Sequence, residues 1–119
     1  TVELLNPTIR TDMSRLLKVI EDLRVLDVEM PAQVMSCFLF VASRDNGCTS
    51  AELQVDLGLT AASMSRCTDW LTGQHRSNPS RGLNLITKEV YQVNKRLRYL
   101  QLTQQGRNLA KQLSTYLDG

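Results

Sequence analysis

The sequence is poor in the residue types that build catalytic and metal centres. It has one histidine, His75, and that residue stands in a polar stretch. It has no Gly-rich phosphate loop, no Ser-His-Asp set and no zinc-ligand spacing. The three cysteines form an odd set without a C-x-x-C pair, which disfavours a disulfide framework: Cys37, Cys48 and Cys67. We therefore expect no enzymatic activity, no metal and no cofactor.

Long apolar runs are also absent. The longest nearly uninterrupted one, residues 34–42, is too short to span a bilayer, and no basic-then-apolar leader opens the sequence. Aromatic residues make up only 5% of the chain, but 42% of the residues are apolar, which is typical of an ordered protein. The 119 residues suit one domain, residues 1–119. We expect a soluble domain of the reducing cytoplasm, without a membrane partner.

The charge is distributed unevenly along the chain. Residues 1–59 carry five basic and nine acidic residues, whereas residues 60–119 carry nine basic and three acidic ones. The second half therefore has a net charge of +6, while the whole chain has only +2. Because nucleic acids are bound by locally basic surfaces, the second half is a candidate polyanion-binding region. A solvated basic face is the alternative.

Hydrophobic periodicity predicts a mainly helical α+β fold. An amphipathic helix over about 12–28 precedes a nearly all-apolar helix that begins at Pro31 and is expected to be buried. The last helix, about 104–117, begins after Thr103. The two outer helices are candidates for a dimer surface, and packing within one chain is the alternative.

Two short helices with a tight turn lie in the middle of the chain. The first begins at Thr49-Ser50-Ala51-Glu52, where the Thr and Glu side chains are spaced to cap each other's backbone. Gly58 suits the left-handed backbone conformation that often ends a helix. Thr60 can cap the next helix, which runs to about Thr72. This arrangement predicts a helix-turn-helix.

The second of these helices has two distinct faces. At 100° per residue, its inward face has Met64, Cys67, Thr68 and Leu71, and its outward face has Ala62, Ser63, Arg66, Asp69 and Trp70. Small and hydroxylic side chains let a helix backbone approach the DNA major groove. The candidate DNA contacts here are Thr60, Ala62, Ser63, Ser65 and Arg66. A solvent-exposed face is the alternative, and Trp70 could cover the following loop or contact DNA.

A basic hairpin is predicted after this helix. Residues 85–92 and 97–102 have the composition of strands, and the turn between them contributes Lys95 and Arg96, with Arg98 close behind. The polar segment before the hairpin, residues 74–83, contains two more candidate DNA contacts, Arg76 and Arg81. This segment either adds phosphate contacts or is a mobile loop.

The order helix, helix, helix-turn-helix, hairpin, helix is that of a winged helix, and roughly residues 30–115 resemble the MarR family of bacterial and archaeal transcription regulators. The segments that carry the resemblance are Ser65-Arg66-Cys67-Thr68-Asp69-Trp70-Leu71, Asn84-Leu85-Ile86-Thr87-Lys88, Asn94-Lys95-Arg96 and Leu102-Thr103-Gln104-Gln105-Gly106-Arg107-Asn108-Leu109. The chain departs from the family at the wing, where Asn94 replaces an aspartate, and in the longer connection from Leu71 to Leu85. The given sequence also ends sooner after Gly106 than the sequences of family members do.

The resemblance implies a sequence-specific regulator of transcription, a repressor, that binds double-stranded DNA. In this interpretation the recognition helix enters the major groove and Arg96 enters the minor groove. Because one helix-turn-helix seldom holds a half-site tightly, we expect a homodimer on a pseudo-palindromic operator. Two alternatives remain, a winged-helix adaptor that binds an acidic protein and a viral or plasmid DNA-maintenance protein. Cys48 could be a peroxide sensor, as in one branch of the family, or an inert thiol.

Overall fold

The computed structural model describes residues 2–73, 82–90 and 98–118. In these segments the chain forms, in order, α1 (Pro7–Leu26), α2 (Ala32–Ala42), β1 (Cys48–Thr49), α3 (Ser50–Leu57), α4 (Ala61–Leu71), β2 (Ile86–Val90), β3 (Arg98–Leu102) and α5 (Gln104–Leu117). The expected α+β class with a predominance of helix is confirmed. Within the described segments, no helix combines the length and apolar character that a membrane crossing needs.

The strands form one small antiparallel sheet in the order β1-β3-β2. β2 and β3 pair from Ile86 opposite Leu102 to Val90 opposite Arg98, within the two predicted strand segments. β1 was not predicted, because its two residues, Cys48 and Thr49, carry no strand pattern and pair with residues about fifty positions away in β3. The predicted turn at residues 93–96 lies outside the described residues.

The first helix begins earlier than its sequence periodicity predicts. We placed it at 12–28, but α1 spans Pro7–Leu26. Asn6 is the N-cap, and its Oδ1 accepts a hydrogen bond from the backbone N–H of Thr8 at 2.7 Å. Pro7 fits the first helical position because a donor is not needed there. The helix ends before Asp27, whose backbone is extended.

The threonine caps predicted for the two short helices are present, but the reciprocal bond from the Thr49 backbone N–H to the Glu52 side chain is not among the hydrogen bonds of the described residues. Thr49 Oγ1 accepts from the backbone N–H of Glu52 at 3.2 Å, and Thr60 Oγ1 accepts from that of Ser63 at 3.1 Å. Gly58 ends α3 in the left-handed region, at φ 63°, where a residue with a Cβ is disfavoured. Local sequence therefore fixes the turn between α3 and α4.

The core is built around α2, as its apolar composition predicts. Phe38 is completely buried and shares one apolar cluster with Leu23 of α1, Leu53 of α3, Leu71 of α4 and Leu100 of β3. α5 packs closely on the backbone just before β2, and a Cβ added at Gly106 would lie 2.1 Å from the carbonyl oxygen of Leu85. Only glycine allows this approach.

Candidate nucleic-acid interface

The site candidates on the fourth helix lie together within its first two turns. Ala61, Ala62 and Arg66 are exposed, and Ser63 and Ser65 are partly exposed. We call this surface, with the capping residue Thr60, the α4 outer face. The Arg66 Nη2 donates to Ser63 Oγ at 3.2 Å, and no carboxylate forms an ion pair with Arg66 among the described residues. The outer face therefore has one uncompensated positive charge beside small and hydroxyl-bearing side chains.

The opposite side of α4 is anchored in the core. Cys67, Thr68 and Leu71 are buried, as predicted. Thr68 Oγ1 donates to the carbonyl oxygens of Met64 at 2.9 Å and Ser65 at 3.1 Å, so this buried hydroxyl is satisfied within its own helix. Burial of this side fixes which residues of α4 point outward.

The prediction that Asp69 points outward was wrong. Its carboxylate accepts from Lys88 Nζ of β2 at 2.9 Å, and the exposed fractions of the Lys88 and Asp69 side chains are only 16% and 15%. This ion pair joins the C-terminal end of α4 to the sheet. A helical projection cannot show it, because the partner lies 19 residues further along the chain.

The prediction that Trp70 points outward was also wrong. The indole Nε1 donates to Asp27 Oδ2, at the end of α1, at 2.8 Å. Asp27 Oδ1 accepts from the backbone N–H of Glu29 at 3.0 Å, so one carboxylate orders the α1–α2 turn and also holds α4. The end of α4 is thus connected to two elements, the sheet through Asp69 and α1 through Trp70.

The other predicted DNA contacts are not on α4. Arg98 begins β3, where its backbone N–H donates to Ser50 Oγ at 3.0 Å. Arg76, Arg81, Lys95 and Arg96 lie outside the described residues. The structure therefore brings together five of the ten predicted contacts, Thr60, Ala62, Ser63, Ser65 and Arg66.

A groove that the sequence did not reveal runs between α4 and the beginning of α2. It has a volume of about 660 Å³. Pro31, Val34 and Trp70 contribute apolar surface, and Gln33, Arg66 and Cys67 contribute polar groups. Periodicity could not have found it, because the groove is made by two helices that are distant in sequence.

The cysteines lie in two different environments. Cys48 on β1 is only 2% exposed, and burial, together with the nearby Glu52, raises the pKa of its thiol to about 11 although Arg44 acts in the opposite direction. A protonated, buried thiol is unreactive, which favours the inert interpretation of Cys48. Cys37 and Cys67 are buried between α2 and α4. In the described part of the chain, no group of three or more His, Cys, Asp or Glu could hold a metal ion.

The flanking helices pack against each other inside the chain. Asp22 Oδ2 of α1 accepts from Tyr116 Oη at 2.6 Å and from Gln112 Nε2 at 2.7 Å. The hydrogen bond to this carboxylate raises the pKa of Tyr116. Leu109 and Leu113 of α5 are buried within the chain. These two residues therefore pack inside one chain, which was the alternative to a dimer surface.

Beside its buried residues, α1 has a second group of apolar residues that is largely exposed. Five large apolar side chains in it are about 40–60% exposed, and we call them the α1 apolar face: Ile9, Met13, Leu16, Leu17 and Ile20. Val19 and Leu23, on the side toward the core, are buried. The apolar surface of this helix is therefore broader than the part that its own chain covers.

Comparison with protein-family models finds no match for the chain, and comparison with curated proteins finds none either. The α3–α4 unit, the α4 outer face and the α1 apolar face are therefore interpreted from their own geometry.

Proposed function

We propose that the protein is a winged-helix repressor that binds double-stranded DNA as a homodimer and is not an enzyme. The observation that carries the proposal is the α4 outer face, on the second helix of a tightly connected pair. It combines small side chains, hydroxyl groups and a guanidinium that forms no ion pair with any described residue. This combination suits a helix that enters the major groove.

The dimensions of α4 are compatible with that placement. A major groove about 12 Å wide accepts an α-helix, and close approach is easiest where the side chains are short. Ala61, Ala62 and Ser63 provide such a stretch in the first turn. Arg66 lies one turn later, where its planar guanidinium can donate two hydrogen bonds to a guanine edge or to a phosphate.

The elements around α4 support a wing. The order α2, β1, α3, α4, β2, β3 and the pairing of β1 with β3 are those expected for a winged helix. The sequence between β2 and β3 contains Lys95 and Arg96. In our proposal these two residues bind the minor groove and its phosphates. The resemblance of the sequence to MarR-family regulators favours the same function.

The α1 apolar face supports the dimer. Exposed apolar surface is costly in water, and a second copy related by a two-fold axis would cover the same face on both chains. A stable interface has to bury more than about 1,000 Å² in total, which a 20-residue helix and its neighbours can supply. Two recognition helices would then bind the two halves of a pseudo-palindromic operator.

Fluorescence anisotropy with labelled duplex DNA over a salt series tests the proposal. We expect the logarithm of the association constant to fall linearly with the logarithm of the salt concentration, because cationic side chains displace counterions from phosphates. Arg66→Ala should weaken binding by about 10-fold, within the range of about 1–3 kcal/mol for one base-reading arginine. If Arg66 contacts a phosphate instead, the salt slope should fall by about one unit.

Arg24→Ala is the matched control, since it removes the same charge from an exposed arginine of α1 that pairs with Glu21. It should leave DNA affinity nearly unchanged. If the wild-type protein binds no duplex at low salt, the proposal is wrong, and an adaptor that binds an acidic protein becomes the better hypothesis. If the protein does bind duplex DNA, selection of fragments from the native genome separates a promoter-binding regulator from an origin-binding maintenance protein.

A further inference from the structure

Two thiols meet where α4 packs on α2. The Cys67 thiol faces the α2 residues Gln33 and Cys37, which lie one helical turn apart. Cys67 Sγ donates to Gln33 Oε1 at 3.9 Å, and the thiols of Cys37 and Cys67 lie close enough to change each other's pKa. Both thiols therefore lie in the same part of the interface between α2 and α4.

The two thiols differ in access. Cys37 is completely buried, whereas Cys67 is 5% exposed and lines the groove of about 660 Å³ between α2 and α4. A small molecule in this groove would contact Cys67 before it could reach Cys37. The volume is within the range of small-molecule sites, about 300–1,000 Å³.

The two thiols also differ in acidity. Interaction with the Cys37 thiol and the nearby positive charge of Arg66 lower the pKa of Cys67, against the opposing effect of burial. The same interaction and burial raise the pKa of Cys37. The thiolate is the attacking species in thiol chemistry, so Cys67 is the better nucleophile of the pair.

We propose that Cys67 and Cys37 form a dithiol site that reacts with low-molecular-weight disulfides entering the groove and closes to a disulfide between α2 and α4. The Cys67 thiolate attacks one sulfur of the small disulfide, whose S–S bond breaks and releases one thiolate. Cys37 then attacks Cys67 Sγ in the mixed disulfide, loses its proton and releases the second thiol. The two cysteines are oxidised and the small disulfide is reduced to two thiols.

Access favours one pair for this reaction. A disulfide needs Cβ atoms about 3.5–4.5 Å apart, and Cys37 and Cys67 are the cysteines of the two helices that form the groove. Cys48 lies on β1, is buried, and is not among the residues that line the groove between α2 and α4. It therefore serves as an internal reference in every measurement.

Reaction of the native protein with 5,5′-dithiobis(2-nitrobenzoate), a small aromatic disulfide, tests the site. We expect two nitrothiobenzoate ions to be released per chain while no adduct remains on the protein. Trypsin separates the three cysteines into residues 25–44 with Cys37, 45–66 with Cys48 and 67–76 with Cys67. Without reducing agent, peptides 25–44 and 67–76 should be linked, and Cys48 should remain free.

Three variants make the result decisive. Cys37→Ala should release one nitrothiobenzoate per chain and keep a stable adduct on Cys67, Cys67→Ala should release none, and Cys48→Ser should behave as the wild type. A persistent adduct on wild-type Cys67, modification of Cys48 under native conditions, or links only between different chains would each overturn the proposal. Thermal unfolding of each variant shows whether it is folded, and hydroxyethyl disulfide as a second reagent tests whether the reaction depends on aromatic rings.

This chemistry is independent of DNA binding, so the two proposals can fail separately. Where the protein does bind DNA, the oxidised wild type and the oxidised Cys37→Ala variant can be compared in the anisotropy titration. This comparison measures what the α2–α4 link does to the recognition helix.

Discussion

α1 and α4 both bury one side in the same core, but their outer sides are opposite in character. The α1 apolar face exposes five large apolar side chains, whereas the α4 outer face exposes small residues, hydroxyl groups and one arginine. The side chains of the α4 outer face are small or polar, so their exposure to water has little free-energy cost. The α1 apolar face has a free-energy cost in water, which another apolar surface would remove.

The difference separates two kinds of partner. Binding through the α1 apolar face should depend on shape and apolar area and respond weakly to salt. Binding through the α4 outer face should depend on charge and weaken steeply as salt rises. Variants in each face should therefore change one kind of binding and leave the other largely intact.

The largest effect is expected from the double variant Met13→Glu/Leu17→Glu in the α1 apolar face. Burying one large apolar side chain contributes about 1.5–3 kcal/mol, so losing two such contacts should raise a dimer dissociation constant by more than about 100-fold. Sedimentation or light scattering against concentration would measure it. Val55→Glu is the control, because Val55 is an exposed apolar residue on α3, away from this face. A wild-type chain that stays monomeric at high concentration would refute the dimer.

Lys88→Ala should have the next largest effect, on stability. It leaves the carboxylate of Asp69 without its lysine partner in a mostly buried position, so we expect the free energy of unfolding to fall by about 2 kcal/mol. Urea denaturation measures this, with Lys111→Ala on the exposed surface of α5 as the control. Asp69→Asn/Lys88→Met should be more stable than Lys88→Ala, since neither charge remains. Equal stabilities of Lys88→Ala and the wild type would show that the pair does not anchor α4.

The smallest effect is expected at the cap of α4. Thr60→Ala removes the acceptor for the Ser63 backbone N–H and should cost about 1 kcal/mol of stability. Thr60→Ser keeps the acceptor and should retain most of it. Chemical denaturation compares the two variants, and a loss of the same size in both would mean that the Thr60 methyl group matters more than its hydroxyl.

Local sequence signals predicted the helix-turn-helix well. Thr49, Gly58 and Thr60 act on backbone groups within four residues of themselves, and their caps are present in the structure. Asn6 and Pro7 carried an equally local signal for the beginning of α1, which periodicity alone overlooked. The start of α1 was therefore placed too late because the cap at Asn6 was overlooked, although the sequence contained it.

Long-range contacts account for what the sequence did not reveal. Asp69 and Trp70 point outward in a helical projection, yet each has a partner in another element, Lys88 or Asp27. The groove and the contact between Cys37 and Cys67 likewise need α2 and α4 side by side. No periodic pattern contains the packing of one helix on another, so two of the five residues assigned to the outward side of α4 were assigned incorrectly.

The bond between Trp70 and Asp27 gives the protein a built-in optical reporter. Trp70 is the only tryptophan in the chain, so near-ultraviolet emission arises mainly from one indole, at the junction of α1 and α4. Any event that separates those helices would change the surroundings of that indole. Emission spectra of the unlabelled protein can therefore follow the junction during dilution, titration with DNA or oxidation, without a dye or an added mutation.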